Sequence, residues 1–145
     1  RDLVTLTATA SITTADHAGR TLLMGEVGGD AAATFTLPAA TGTGSVFKFV
    51  VSVVNTSNYL IKVADATDTI DGQIVITDAD GTDAGSMVTA AASDTITLNG
   101  TTTGGGAIGD YVELIDIASN QYTVSGMVTC AAGSNIATMF SATVS

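Results

Sequence analysis

Apolar and polar residues alternate with period two along Leu3 to Ala8, along Ala33 to Leu37 with Phe35 and Leu37 on one face, and along Asp94 to Leu98 with Ile96 and Leu98 paired. Successive side chains of a strand point to opposite sides, so this alternation predicts strands with one buried face. Val46 to Val54 differs. Its Val-Phe-Lys-Phe-Val-Val-Ser-Val-Val run is apolar in both phases, which predicts a central or interface strand covered on both faces. Four turn formers, Asn55-Thr56-Ser57-Asn58, separate it from Tyr59 to Ala64, and the two runs read as a hairpin. Gln73 to Thr77 reads as a strand entered through an Asp71-Gly72 turn. Tyr111 to Ile117 and Gln121 to Val128 read as a hairpin joined by Ala118-Ser119-Asn120, and Ile136 to Val144 as the strand that closes the sheet. Ala15 to Arg20 and Ala31 to Ala33 have room for a helical turn, but no window sustains a helical apolar stripe.

About ten short strands with turn signals every 8–12 residues predict an all-β fold: a single-domain antiparallel sandwich, jelly-roll-like or barrel, with little helix. Composition agrees, since Val, Ile and Thr supply 49 of 145 residues and their β-branched side chains suit pleated strands. No internal repeat or boundary divides the chain, so one β domain over 1–145 is expected, with Arg1 to Thr14 as an extended N-terminal arm. The Asn99 to Gly106 stretch, Asn-Gly-Thr-Thr-Thr-Gly-Gly-Gly, reads as a mobile loop.

Charged residues make up 12% of the chain against about 25% in an average domain, while apolar residues reach 46%. Such a balance suits a protein that covers part of its exterior with copies of itself or a larger partner. Fourteen acidic residues face four basic ones, Arg1, Arg20, Lys48 and Lys62, for a net charge of −10. Nucleic acid and anionic membrane surfaces are therefore disfavoured as partners, because both are bound through clustered Lys and Arg. No apolar run reaches the roughly 20 residues that span a bilayer, and no basic-then-apolar leader opens the sequence, so a soluble chain without an address is expected. The lone Cys130 rules out an intrachain disulfide.

Chemistry-bearing patterns are few. Asp78, Asp80 and Asp83 surround Gly81, an oxygen-rich donor set of the kind calcium favours, yet Asp and Gly make turns unaided, and the position where an EF-hand-like loop needs Glu holds Thr89. Asp65, Asp68 and Asp71 recur every three residues in a segment that reads as a turn held by side-chain to backbone hydrogen bonds. Gly104, Gly106 and Gly109 match a dinucleotide-binding spacing but precede a strand pattern, not a helix. His17 is the only histidine, and Asp16-His17 near Ser11 lacks the strained elbow of a hydrolytic triad. Paired acids for glycoside cleavage would lack a sugar platform, with Trp absent and Tyr59, Tyr111 and Tyr122 as the tyrosines. Asn55-Thr56-Ser57 and Asn99-Gly100-Thr101 fit the glycosylation pattern and read first as turns. No catalytic site, and no cofactor apart from the calcium candidate, is expected.

Thr34-Phe35-Thr36-Leu37-Pro38-Ala39-Ala40, then Gly42 and Gly44, then Val46-Phe47-Lys48-Phe49-Val50, resemble a β-module of tailed-bacteriophage virion proteins. Tyr59 to Ala64 with Asp68 to Gly72 resemble its second hairpin and turn, and Gly109 to Ile115 with Gln121 to Val124 its closing pair. Together these cover about half of the chain. Where the family often carries Trp beside Tyr, this chain has Gln121 before Tyr122, which argues against sugar binding. The resemblance implies a virion component of head or tail.

Composition favours the head. A tail adhesin needs aromatic anchors or a ligand cleft, whereas a decoration protein needs a compact trimer-forming β-domain with apolar flanks. The expectation is a head decoration (cement) protein on the capsid exterior, a homotrimer partnered by the major capsid protein, with Val50, Val51, Val53, Val54, Met139 and Phe140 as candidate interface residues. The alternatives are a tail-fibre or head-fibre domain that binds host-surface glycans, and a secreted calcium-stabilised β-module.

Overall fold

The computed structural model describes residues 2–145. In chain order the elements are β1 (Leu3–Leu6), β2 (Ala10–Ser11), α1 (Thr14–His17), β3 (Thr21–Met24), β4 (Ala33–Thr36), β5 (Val46–Val51), β6 (Tyr59–Lys62), β7 (Thr69–Asp78), β8 (Ala84–Val88), β9 (Thr95–Leu98), β10 (Tyr111–Ala118), β11 (Gln121–Cys130) and β12 (Phe140–Ser141). They form a seven-stranded sheet, ordered β1-β3-β5-β10-β11-β7-β8, and a five-stranded sheet, ordered β12-β9-β6-β4-β2. The two pack as a sandwich, so the all-β expectation holds.

The sheets are mixed rather than antiparallel. β1–β3, β3–β5, β2–β4, β4–β6 and β11–β7 all pair in parallel. The cause lies in the path of the chain. From β1 to β6 each strand enters the sheet opposite to the one before it, so every return to a sheet comes in the same direction. Parallel neighbours need a crossover, and here a strand of the facing sheet serves as one. The expected β5–β6 hairpin is accordingly absent, because the two strands lie in different sheets and residues 52–58 turn the corner between them. Asn55 shapes that corner: its Nδ2 donates to the Ala31 carbonyl at 2.7 Å and its Oδ1 accepts from the Ser57 N–H at 2.8 Å.

Other expectations fare variously. β10 and β11 form the predicted hairpin, with Asn120 at φ 64° in its turn, although Ala118 belongs to the strand. β7 runs straight through Asp71-Gly72 instead of beginning after it. The closing strand is reduced to two residues on the edge of the five-stranded sheet. A helical turn forms at Thr14–His17, capped by the Thr13 hydroxyl, whereas Ala33 opens β4. The anticipated arm is woven into the sandwich: β1 lies in one sheet, β2 in the other, and Leu6 and Ile12 are buried. Arg1 lies outside the described residues.

One continuous cluster of buried side chains joins the sheets. Registers stack its members in rows, Ala10–Phe35–Ile61–Ile96–Phe140 across the five strands and Val4–Leu22–Phe49–Val112 across four of the seven. Phe35 meets Phe49 of the facing sheet with ring centroids 5.9 Å apart, a stacked contact that ties the layers together. Val51, Met139 and Phe140 belong to this core. They are therefore not surface residues, because β5 alternates and Val51 falls on its inner phase.

Asn99 to Gly106, expected to be a mobile loop, is anchored by hydrogen bonds. Asn99 Oδ1 accepts from the backbone N–H groups of Thr101, Thr102 and Thr103, and the Cys130 thiol donates to the Thr102 carbonyl. Thr103, Gly104 and Gly105 are consequently buried.

Candidate functional site

Carboxylates are the most numerous ionisable groups here, and the fold spreads them over several segments. Glu26, Asp68, Asp78, Asp94, Asp110 and Asp116 are all buried, six of the 14 acids. Each accepts hydrogen bonds from donors in loops or the C-terminal tail. Asp116 on β10 takes the N–H groups of Thr41 and Gly42 and the Thr43 hydroxyl; Asp94 takes the N–H groups of Thr143, Val144 and Ser145. Burial works against charge at both sites, but these donors outweigh it and hold both carboxyls below the usual Asp value. At Asp110 burial wins over donors from Thr129 and Gly105, and its carboxyl is pushed up. Asp68 is also raised by burial, since only Oδ2 has a partner, the Ala40 N–H, while Oδ1 has none. Such carboxylates, with Asp68 and Asp116 both spent on the 40–43 loop and the others on different segments, are structural ties.

The sequence candidates do not converge. Asp78 and Asp80 both accept from the Thr82 N–H, at 2.9 and 3.0 Å, and from its hydroxyl, at 2.9 and 2.7 Å, so the loop closes on itself. Among the described residues no three His, Cys, Asp or Glu side chains are grouped to hold a metal ion. Asp65 binds Thr67 and Asp71 binds Gln121, away from the tie that Asp68 makes to Ala40. His17 Nδ1 accepts from the Thr13 N–H at 2.9 Å within its own helical turn. Asn55 is buried. Of the tyrosines, Tyr59 and Tyr122 are core residues whose hydroxyls bond backbone carbonyls, and Tyr111 lies half-buried beneath Lys48 Nζ, 4.9 Å from its ring centroid. Among the interface candidates Val50 points outward and half-buried, Val53 is exposed at the sheet corner, and Val54 packs partly against the core.

What the fold does assemble is an apolar row on the outer face of the seven-stranded sheet. Cross-strand partners place Leu23 beside Val50, Val50 beside Tyr111, Tyr111 beside Met127, and Met127 beside Val75, with Thr5 and Ser86 at the two ends. At 4.7–4.9 Å per strand the five apolar residues span roughly 19 Å, and roughly 29 Å with the two polar ends. Met127 is 55% exposed and Val75 41%, and Ile108, 74% exposed, stands beside them around a shallow depression. The next level holds Thr21, Lys48, Glu113 and Ser125. On the five-stranded sheet the outward positions Thr34, Thr36, Lys62 and Thr97 are mostly hydroxyl-bearing, with Leu60 the one large hydrophobic between Thr34 and Thr97. The asymmetry between the outer faces is the main chemical feature of the surface.

Only Val50 of this row was singled out from the sequence. Val75 and Met127 are each the single apolar residue among the outward positions of β7 and β11. Nothing local marks them, and register alone makes them neighbours. No family model, curated protein or solved structure matches the chain.

Proposed function

We propose that this is a structural protein of a tailed-bacteriophage virion, a head decoration protein that seats on the shell exterior as a homotrimer through the outer face of its seven-stranded sheet. The observation that carries the proposal is the Leu23–Val50–Tyr111–Met127–Val75 row, five apolar side chains set side by side across five strands, with Met127 and Val75 exposed. Strips of this kind mark protein contact surfaces. The resemblance of segments within residues 34–50, 59–72 and 109–124 to the virion β-module supports a virion role of head or tail, and the compact, low-charge domain favours the head. The mechanism is mechanical. Burying the strip where shell subunits meet links the separation of those subunits to loss of the contact, which stabilises the closed shell by mass action.

The test is co-sedimentation with empty capsids, together with the heat resistance of the decorated shells. Met127→Lys combined with Val75→Lys places two charges in the strip and is expected to weaken shell binding about tenfold or more, equivalent to about 1.4 kcal/mol. Both side chains are exposed, so the variant should melt like the parent protein. A variant that binds shells unchanged, or a parent protein that ignores shells and binds glycans, refutes the proposal.

A further inference from the structure

The two sheets end differently. The five-stranded sheet has β2 and β12 on its edges, two residues each, and such short edges resist pairing with other chains. The seven-stranded sheet ends on β1, Leu-Val-Thr-Leu, and β8, Ala-Gly-Ser-Met-Val. Neither carries a charge or a proline, the usual guards of an open edge. Each therefore presents a rank of backbone N–H and C=O groups with no strand beside it.

We propose that these edges join to each other between copies, β1 of one molecule adding to β8 of the next. Strand direction permits it. β1, β3 and β5 run one way, β10 runs back, β11 and β7 run with β5, and β8 runs back again. β1 and β8 are thus opposed, and a copy rotated about an axis along the strands brings them together as an antiparallel pair. The residues also match in one register: Leu3 with Val88, Val4 with Met87, Thr5 with Ser86 and Leu6 with Gly85. Opposed residues share a face of the sheet, and here both members of every pair do. Leu3 and Val88, 64% and 67% exposed, cover each other on the outer face. Val4 and Met87 are half-buried hydrophobics at the two open ends of the core, and pairing closes the core over both. Thr5 meets Ser86, a favoured cross-strand pair. A slip by one residue would set outward side chains against inward ones and lose every match.

This contact also extends the docking strip. Thr5 and Ser86 terminate the outward row, so joining them carries the row from Val75 of one copy to Leu23 of the next. The contact is head to tail, and it closes into a ring when the rotation per copy allows. It rests on the assembly part of the virion role and names the surfaces that build the trimer.

Paired cysteines test it. In a Cys130→Ser background at high protein concentration, Thr5→Cys with Ser86→Cys in one chain should oxidise to covalent dimers and trimers, while neither single change should cross-link. Cross-linking by Ser86→Cys alone would mean that β8 pairs with β8, and no cross-linking by the double variant would mean that the edges do not meet; either overturns the proposal. Charges give a second measurement with Cys130 intact. Thr5→Lys and Ser86→Glu, both at exposed positions, should each reduce the light-scattering mass to that of the 14.4 kDa chain, and the two together should restore the oligomer. An unrestored double variant counts against the register. A monomeric chain that still binds shells sinks the edge contact and the trimer but leaves shell binding, and an edge-joined oligomer that ignores shells sinks the virion role alone.

Discussion

Asp116 holds the 41–43 loop against β10, and its removal has a calculable consequence. Its oxygens accept from the Gly42 N–H at 2.7 Å, from the Thr41 N–H at 3.1 Å and from the Thr43 hydroxyl at 2.9 Å. Hydrogen bonds to a charged group contribute about 1.5–3 kcal/mol each, so three suggest an upper bound near 9 kcal/mol. The true cost is smaller, because Thr41, Gly42 and Thr43 are exposed and their freed donors find water. Asp116→Ala should therefore destabilise by about 3 kcal/mol. Asp116→Asn keeps one acceptor but turns an amide against a donor, at about 1–2 kcal/mol. The pH dependence separates charge from shape. The folded carboxyl titrates below its ordinary value, so its contribution is full above the unfolded pKa of about 3.9 and disappears as pH falls through the folded one. Urea unfolding of the parent and Asp116→Asn chains should show a gap at pH 7 that narrows toward pH 3, with m unchanged. An Asp116→Ala chain within about 0.5 kcal/mol of the parent at pH 7, or a gap that widens on acidification, refutes the assignment.

Three further outcomes are expected. Tyr59→Phe should lose about 1–3 kcal/mol in chemical denaturation, because the hydroxyl accepts from the buried Glu26 N–H at 3.1 Å and donates to the Val53 carbonyl at 2.7 Å. Gly72→Ala should cost about 3 kcal/mol or more of stability and lower the melting temperature, at a φ of +142° where a Cβ would strike the Val124 carbonyl; a mild effect would show that β7 and β11 separate easily. Millimolar calcium should leave the melting curve in place, since Thr82 already occupies the Asp78 and Asp80 oxygens, and a rise lost in Asp80→Ala would reveal an ion site instead.

Much of the architecture was legible because its signals are local. Alternation in 33–37 and 94–98 located β4 and β9, and Asn120 marked the β10–β11 turn. The double-phase run at 46–54 reflects two environments, with Phe47, Phe49 and Val51 in the core and Val46 and Val50 half-buried outside. Turn residues misled where one chemistry serves two geometries. The 55–58 corner carries the chain to the facing sheet with the same Asn and Ser that would close a hairpin, and Gly72 permits a close strand approach rather than a bend. Asn99 to Gly106 looked mobile by composition, but its donors were taken up by one Asn side chain.

The amino acids by themselves determined that the chain is β and where most strands lie, because side-chain periodicity acts over a few neighbouring residues. Tertiary structure alone decided which sheet each strand enters, and hence that half of the pairings are parallel. It also decided that Leu23, Val50, Tyr111, Met127 and Val75, scattered over 105 positions of sequence, stand at one level. Register is a property of pairs of strands, and no single strand contains it.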